Sequence, residues 1–237
     1  MLFCNCYCIL NKMRFLDLCA GTQSIQKSLP KHVDVTSVDI CAKNTPTIVS
    51  DIRTWNYKRQ FPRGYFDVIW ASPPCTQYSI ARTVGTRDYI EADSIVKRCL
   101  EIIQYFRPPM WFMENPGGGG KLHTRPFMCK WNRYKNVCCY CRYGYPYRKI
   151  TNIWTNRTKL GLKICNKTTP CSAFAKYGRH LCTAQGGSHP QRDLGTNTSS
   201  AYSVPPKLIR QLIIIKWSTN VPHIVRIYRT PSVCTSD

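Results

Sequence analysis

The chain has 237 residues, 43% hydrophobic and 19% charged, enough for one α/β unit with a small appendage and too apolar for a disordered segment. Lys and Arg total 34 against 12 Asp and Glu, and the formal charge of +22 is spread along the whole length, which favours nucleic acid as partner over a merely basic soluble surface or a membrane face. The 15 cysteines read as reduced thiols in a chain with this much core material, and no apolar run nears the roughly 20 residues of a membrane span.

Residues 1–10 are apolar but lack a basic start and end at Asn11-Lys12, a poor signal peptide, so 1–12 reads as an optional extension and an intracellular location is expected. Residues 15–18 form a strand running into Ala20-Gly21-Thr22, and 24–29 a helix stopped by Pro30. Residues 33–40 alternate in strand fashion and end on Asp39, 48–49 lead to Asp51, and 66–71 make a buried strand entering Ser72-Pro73-Pro74-Cys75. An apolar stripe of Ile95, Cys99, Ile102, Ile103 and Phe106 predicts a helix over 89–106, closed by Pro108-Pro109 and followed by a strand at 110–113. Alternating strands and helices imply a mostly parallel sheet covered on both faces, with ligands at the carboxyl ends of the strands. Gly21, Asp39, Cys75 and Glu114 all fall at such ends. The expected organisation is a main unit over 13–154 completed by 201–216, an irregular module over 155–200, and a tail over 217–237.

Two side chains carry chemistry. Cys75 follows two prolines that stiffen its loop, and a thiolate there is a nucleophile for an electron-poor ring carbon; taken singly, a buried structural cysteine is the plainer reading. Glu114 precedes Asn115-Pro116 and glycines 117–120, presenting a carboxylate beside backbone free to approach a ligand; taken singly, it reads equally as a turn acid.

Taken together, these segments carry a resemblance. Phe15-Leu16-Asp17-Leu18-Cys19-Ala20-Gly21-Thr22 resembles the first motif of DNA cytosine-5 methyltransferases, Ser72-Pro73-Pro74-Cys75-Thr76-Gln77-Tyr78-Ser79 their nucleophile motif, and Phe112-Met113-Glu114-Asn115-Pro116 their Glu-Asn motif. Tyr143-Gly144-Tyr145-Pro146 is similar to the start of their arginine-bearing motif, and Ser203-Val204-Pro205 to the late motif that returns to the cofactor pocket, all in the family's order. Short forms from phages and large DNA viruses are the most similar. The resemblance implies a Rossmann-like S-adenosylmethionine-dependent methyltransferase fold with a small irregular recognition module, and DNA as partner. It implies addition of Cys75 to carbon 6 of a flipped cytosine with Glu114 at the third nitrogen, and transfer of the methyl group to carbon 5. It places the cofactor against Phe15, Ala20, Gly21, Thr22, Asp39, Ile40, Asp51, Ile52, Pro73, Ser203 and Val204. Asp39 then serves the ribose hydroxyls and Asp51 with Ile52 faces the adenine. The loop bearing Arg82, Gly85 and Arg87 either closes over the base or is a plain connection.

The chain departs from the family pattern at Gln23-Ser24, where a glycine pair is usual, at Glu-Asn-Pro in place of Glu-Asn-Val, and at Tyr147, Lys149 and Thr151, where Gln, Arg and Arg are usual. Two other readings therefore stay open: methylation of RNA cytosine by the same covalent logic, and a catalytically degenerate DNA-binding protein. Between the last two motifs lie Cys138, Cys139, Cys141, Cys165, Cys171, His180 and Cys182. Their spacing matches no paired Cys-x-x-Cys pattern, so unrelated thiols are the plainer reading. If a structural zinc is bound, Cys141, Cys165, Cys171 and His180 are the expected ligands, because so small an irregular stretch lacks a core of its own.

Overall fold

The computed structural model describes residues 12–180 and 202–214; the extension before Lys12, the tail over 217–237, Cys182 and the rest of the second half of the irregular module lie outside them. Seven strands, β1 (Arg14–Leu18), β2 (Asp34–Asp39), β3 (Ile48–Val49), β4 (Val68–Ala71), β5 (Met110–Pro116), β6 (Lys135–Cys139) and β7 (Ile150–Thr155), form one sheet in the order β3-β2-β1-β4-β5-β7-β6. The first five in that order are parallel, while β7 runs antiparallel to both β5 and β6. The helices are α1 (Ser24–Ser28), α2 (Tyr57–Gln60), α3 (Tyr89–Phe106), α4 (Ser172–Tyr177) and α5 (Pro206–Ile209), the last continuing as a wider turn over Arg210–Ile214.

Successive strand residues point to opposite faces, so apolar runs such as Val68–Ala71 supply two cores at once. Leu16, Ile69, Ala71, Trp111 and Met113 face one side, under Val96, Leu100, Ile103 and Phe106 of α3. Phe15, Val68, Trp70, Met110 and Phe112 face the other, under Ile25 of α1 and Leu208, Ile209, Leu212 and Ile213. α3 begins at Asp88, whose carboxylate accepts from the Glu91 amide at 3.0 Å, and ends where Arg107 turns to φ 47°, so its limits follow from a cap and the prolines beyond.

Three features go beyond the expectations. β5 continues through Glu114, Asn115 and Pro116, because those residues pair with β7 from Ile153 to Thr151. β6 and β7 form a hairpin partner to β5 that no local apolar pattern announces. The expected backbone freedom of glycines 117–120 is replaced by close packing. A side chain on Gly120 would strike the Pro116 carbonyl at 2.2 Å, and one on Gly117 would meet Asn152 Oδ1 at 2.8 Å.

Candidate active site

Strand order reverses between β1 and β4, and this switch point opens a crevice at the strands' carboxyl ends. The Pro-Pro-Cys loop leaves β4 there, and Glu114 stands on the neighbouring β5. Asn115, fully buried, donates from Nδ2 to the Pro73 carbonyl at 3.0 Å, so the Glu-Asn segment clamps the loop that carries Cys75. The amides of Tyr78 and Ser79 donate to the Cys75 carbonyl at 2.9 and 2.8 Å. Tyr78 in turn donates to Asp93 at 2.8 Å, and Arg125 donates to both oxygens of that carboxylate at 2.8–3.1 Å. The thiol's backbone is thereby fixed from two sides.

Glu114 is 7% exposed, and a carboxylate that deep needs partners. Tyr140 donates its hydroxyl to Oε1 at 3.0 Å, and Lys149 Nζ lies 3.6 Å from the same oxygen and 4.9 Å from the Tyr140 ring centre. Burial, then the Glu114 charge, raises the Tyr140 phenol well above its ordinary value, so it remains a donor. Burial and the Glu114 charge also raise the Cys75 thiol, with Lys149 pulling it back down. At neutral pH the resting group is therefore a thiol. Of the three altered positions in the arginine-bearing motif, Lys149 supplies a cation to Glu114, whereas Tyr147 and Thr151 are buried.

The first turn and the late motif come together although 180 residues separate them. Thr22 Oγ1 lies 3.4 Å from Ser203 Oγ, and the Val204 amide donates to Ser24 Oγ at 3.1 Å. Gly21, at φ 47°, donates its amide to Asp39 Oδ2 at 2.8 Å, and the other carboxylate oxygen accepts from the Cys41 amide at 2.8 Å. A side chain on Gly21 would meet nothing nearer than the Cys19 carbonyl at 3.9 Å, so the turn faces open space. Ile40, 68% exposed, offers an apolar wall beside it. Ala20, Ile52 and Pro73 are buried at the same strand ends. Asp51 is held by the Arg53 side chain and amide, which keep its carboxyl below the ordinary range. Phe15 is not brought to this corner; it is wholly buried in the core with Trp70 and Phe112.

Gln23 explains how the chain manages without the usual glycine. It sits at φ 60° and ψ 28°, a glycine-favouring conformation, and its side-chain amide donates to Ser37 Oγ at 3.2 Å and the Asn44 carbonyl at 3.4 Å. In the loop after Cys75, Arg87 donates to the carbonyls of Gln77, Ser79 and Arg82, while Ile80 and Val84 remain exposed. Residues that sequence reasoning passed over are Tyr140, Asn152 and Asp93; each reaches the site through pairing or packing distant in sequence. A cavity of about 330 Å³ bounded by Arg107, Trp111, Trp131 and Arg133 lies at the opposite end of β5 from Glu114. Among the described residues, Cys141, Cys165, Cys171 and His180 do converge, with their ligand atoms all within 4.8 Å of one another. No described helix is long and apolar enough to cross a membrane.

A mostly parallel sheet with β7 turned antiparallel beside β5, and a glycine turn faced by an acid on the next strand, is the Rossmann-like architecture of S-adenosylmethionine-dependent methyltransferases. Comparison with known proteins narrows the class. Residues 13–121 match the family described as C-5 cytosine-specific DNA methylase. The chain is 29% identical over 219 residues to a protein of Frog virus 3 (isolate Goorha) described as a probable DNA (cytosine-5)-methyltransferase, covering 85% of this chain and 99% of that one. Among solved structures, a prophage-encoded DNA modification methyltransferase (E. coli) aligns with a TM-score of 0.43 at 16% identity, over 67% of this chain and 51% of that one, so the chain spans about half its length. The chain is thus similar over residues 13–121 to the C-5 cytosine-specific DNA methylase family and, over most of its length, to a viral protein described in the same terms.

Proposed function

We propose that the chain transfers a methyl group from S-adenosylmethionine to carbon 5 of cytosine in DNA, with Cys75 as nucleophile and Glu114 as the group that activates the ring. The observation that carries this reading is the joining of the two motifs at adjacent strand ends: Asn115 bonds to Pro73 while Glu114 is held by Tyr140 and Lys149. A buried carboxyl so anchored suits a pyrimidine: protonated, it donates to the third nitrogen while its other oxygen accepts from the amino group, and that proton's pull on the ring makes carbon 6 electrophilic. The sulfur then bonds to carbon 6, electron density moves to carbon 5, and the new carbon–carbon bond forms there as the methyl group's bond to the sulfonium sulfur breaks, leaving a neutral thioether. Loss of the carbon-5 proton and expulsion of the sulfur restore the aromatic ring.

The Cys75 thiol must lose its proton first. That proton goes to water; Lys149 is the charge in place to favour the thiolate, and protonation of Glu114 for its bond to the ring removes the opposing one. The cofactor would be held by the Gly21 turn, Thr22, Asp39, Ile40, Ser203 and Val204, whose open turn, carboxylate and exposed apolar wall suit a ribose and an adenine; it supplies an electrophilic methyl group. Asp51, already paired with Arg53, takes a supporting place with buried Ile52. The base has to leave the stack, which costs a few kcal/mol, and the +22 charge gives the phosphates a counter-surface.

A duplex carrying 5-fluorocytosine tests this, because fluorine cannot leave carbon 5 as the proton does and the adduct stalls. With cofactor present, a denaturation-resistant protein–DNA species should form and map to Cys75. Its absence under conditions where DNA and cofactor both bind would remove the covalent mechanism.

A further inference from the structure

Four side chains of metal-binding type meet beside the β6–β7 hairpin. Cys141 lies on the 3-10 turn Tyr140–Tyr143 that follows β6. Cys165 sits in the coil after β7, Cys171 is the residue before α4, and His180 follows Gly178, whose φ of 65° ends that helix. The three thiols are 2–8% exposed and free of disulfides.

The two edges from His180 match those of ligands around a small central ion, and all four ligand atoms lie within 4.8 Å of one another. Zinc–sulfur bonds of about 2.3 Å and zinc–nitrogen bonds of about 2.0 Å put tetrahedral S···N edges at about 3.5 Å. His180 Nε2 lies 3.5 Å from Cys165 Sγ and 3.4 Å from Cys171 Sγ. The Cys171 amide points at Cys165 Sγ at 3.3 Å, a donor that steadies sulfur carrying negative charge. Three thiolates and an imidazole select zinc over the oxygen-seeking cations, and a complete set of four leaves no open position for chemistry.

The surroundings show why an ion belongs there. The local core consists of Cys139, Cys141, Cys165 and Cys171, edged by Ile150, Ala173 and Phe174. α4 has six residues, far below the length that is stable unaided. Sulfur atoms alone bury too little apolar surface to fix such a segment, whereas a metal closes it at once.

We propose that Cys141, Cys165, Cys171 and His180 form a closed structural zinc site that staples residues 156–180 to β6. The site also reaches the catalytic carboxylate, since Cys141 adjoins Tyr140, which holds Glu114. The proposal stands independently of the reaction assigned above, because its test reads metal and not methyl transfer.

The full chain, purified without chelator, should contain about one zinc per molecule by elemental mass spectrometry. The double variant Cys165→Ser/Cys171→Ser should lose it, while Cys129→Ser, at an exposed cysteine outside the cluster, should keep it. Wild-type protein reconstituted with cobalt(II) gives a readout that does not depend on the variants folding: intense visible bands of a tetrahedral ion together with sulfur-to-cobalt charge transfer in the near ultraviolet. Zinc-free wild-type protein, retention of zinc by the double variant, weak octahedral cobalt bands, or a disulfide within the cluster would each overturn the proposal.

Discussion

Replacing Asn115 by alanine should weaken the fold modestly and the reaction severely. The side chain is fully buried and donates to the Pro73 carbonyl at 3.0 Å. Truncation leaves that carbonyl buried without its partner, at about 1–3 kcal/mol. For a domain of this size each kcal/mol lowers Tm by about 2–4 °C, so the fall should be about 2–12 °C. The rate should suffer more, because a displacement of the thiol loop of about 1 Å costs on the order of 10²-fold when reacting atoms must be aligned. Asn156→Ala, at an exposed asparagine, is the control. That side chain donates to the Pro109 carbonyl at 3.1 Å and accepts from the Trp111 amide at 3.1 Å, at the other end of β5. Calorimetry and single-turnover methyl transfer, both well below Tm, separate the two effects. If Asn115→Ala transfers at the wild-type rate, or Asn156→Ala is equally impaired, the clamp is not what positions Cys75.

Three further outcomes follow from charge and burial. Alkylation of Cys75 by iodoacetamide should be slow at neutral pH and still rising at pH 9, since the thiol's pKa is raised by burial and Glu114; Glu114→Gln should speed it and Lys149→Ala should slow it, and equal rates in all three proteins would refute the electrostatic account. Asp17 is wholly buried with neither carboxyl oxygen bonded among the described residues, and burial, then Asp39, raises its pKa. The unfolded chain ionises this group near its ordinary value while the folded chain does not, so wild-type stability should decline as pH rises above about 4, by up to about 1.4 kcal/mol per pH unit from this group. Asp17→Asn should flatten that decline and be the more stable protein at neutral pH; urea titrations at pH 5 and 7.5 that show identical pH dependence in both proteins would contradict the assignment. DNA affinity should fall with salt at a log–log slope steeper than about −4, given about −0.9 per phosphate neutralised and a charge of +22; a flat dependence would deny the electrostatic interface.

Much of this was legible in the chain because parallel strands buried on both faces write themselves as continuous apolar runs, and α3 as a stripe between a cap and two prolines. The first five strands and the placement of Gly21, Asp39 and Cys75 at strand ends came from such local signals, whereas β5 runs on through Glu114 to Pro116. What was hidden depended on pairing at long range. β7 carries Thr151 and Asn152 inward, so it lacks the apolar signature, and only its register against β5 shows why Asn115 and Glu114 are buried. Lys149 looked like a lost arginine, yet its ammonium reaches the Glu114 carboxylate. Gln23 looked like a lost glycine, yet its amide bonds hold the left-handed turn. The four convergent cysteine and histidine ligands follow no motif spacing, because the chain returns to them from β6, from the coil after β7 and from both ends of α4.

The most direct test of the central claim is transfer of labelled methyl from S-adenosylmethionine to unmethylated duplex DNA, followed by nucleoside analysis, with Cys75→Ala alongside. The account predicts label in 5-methylcytosine from the wild type and none from the variant. Label at another position of the base, or undiminished 5-methylcytosine from Cys75→Ala, would contradict it.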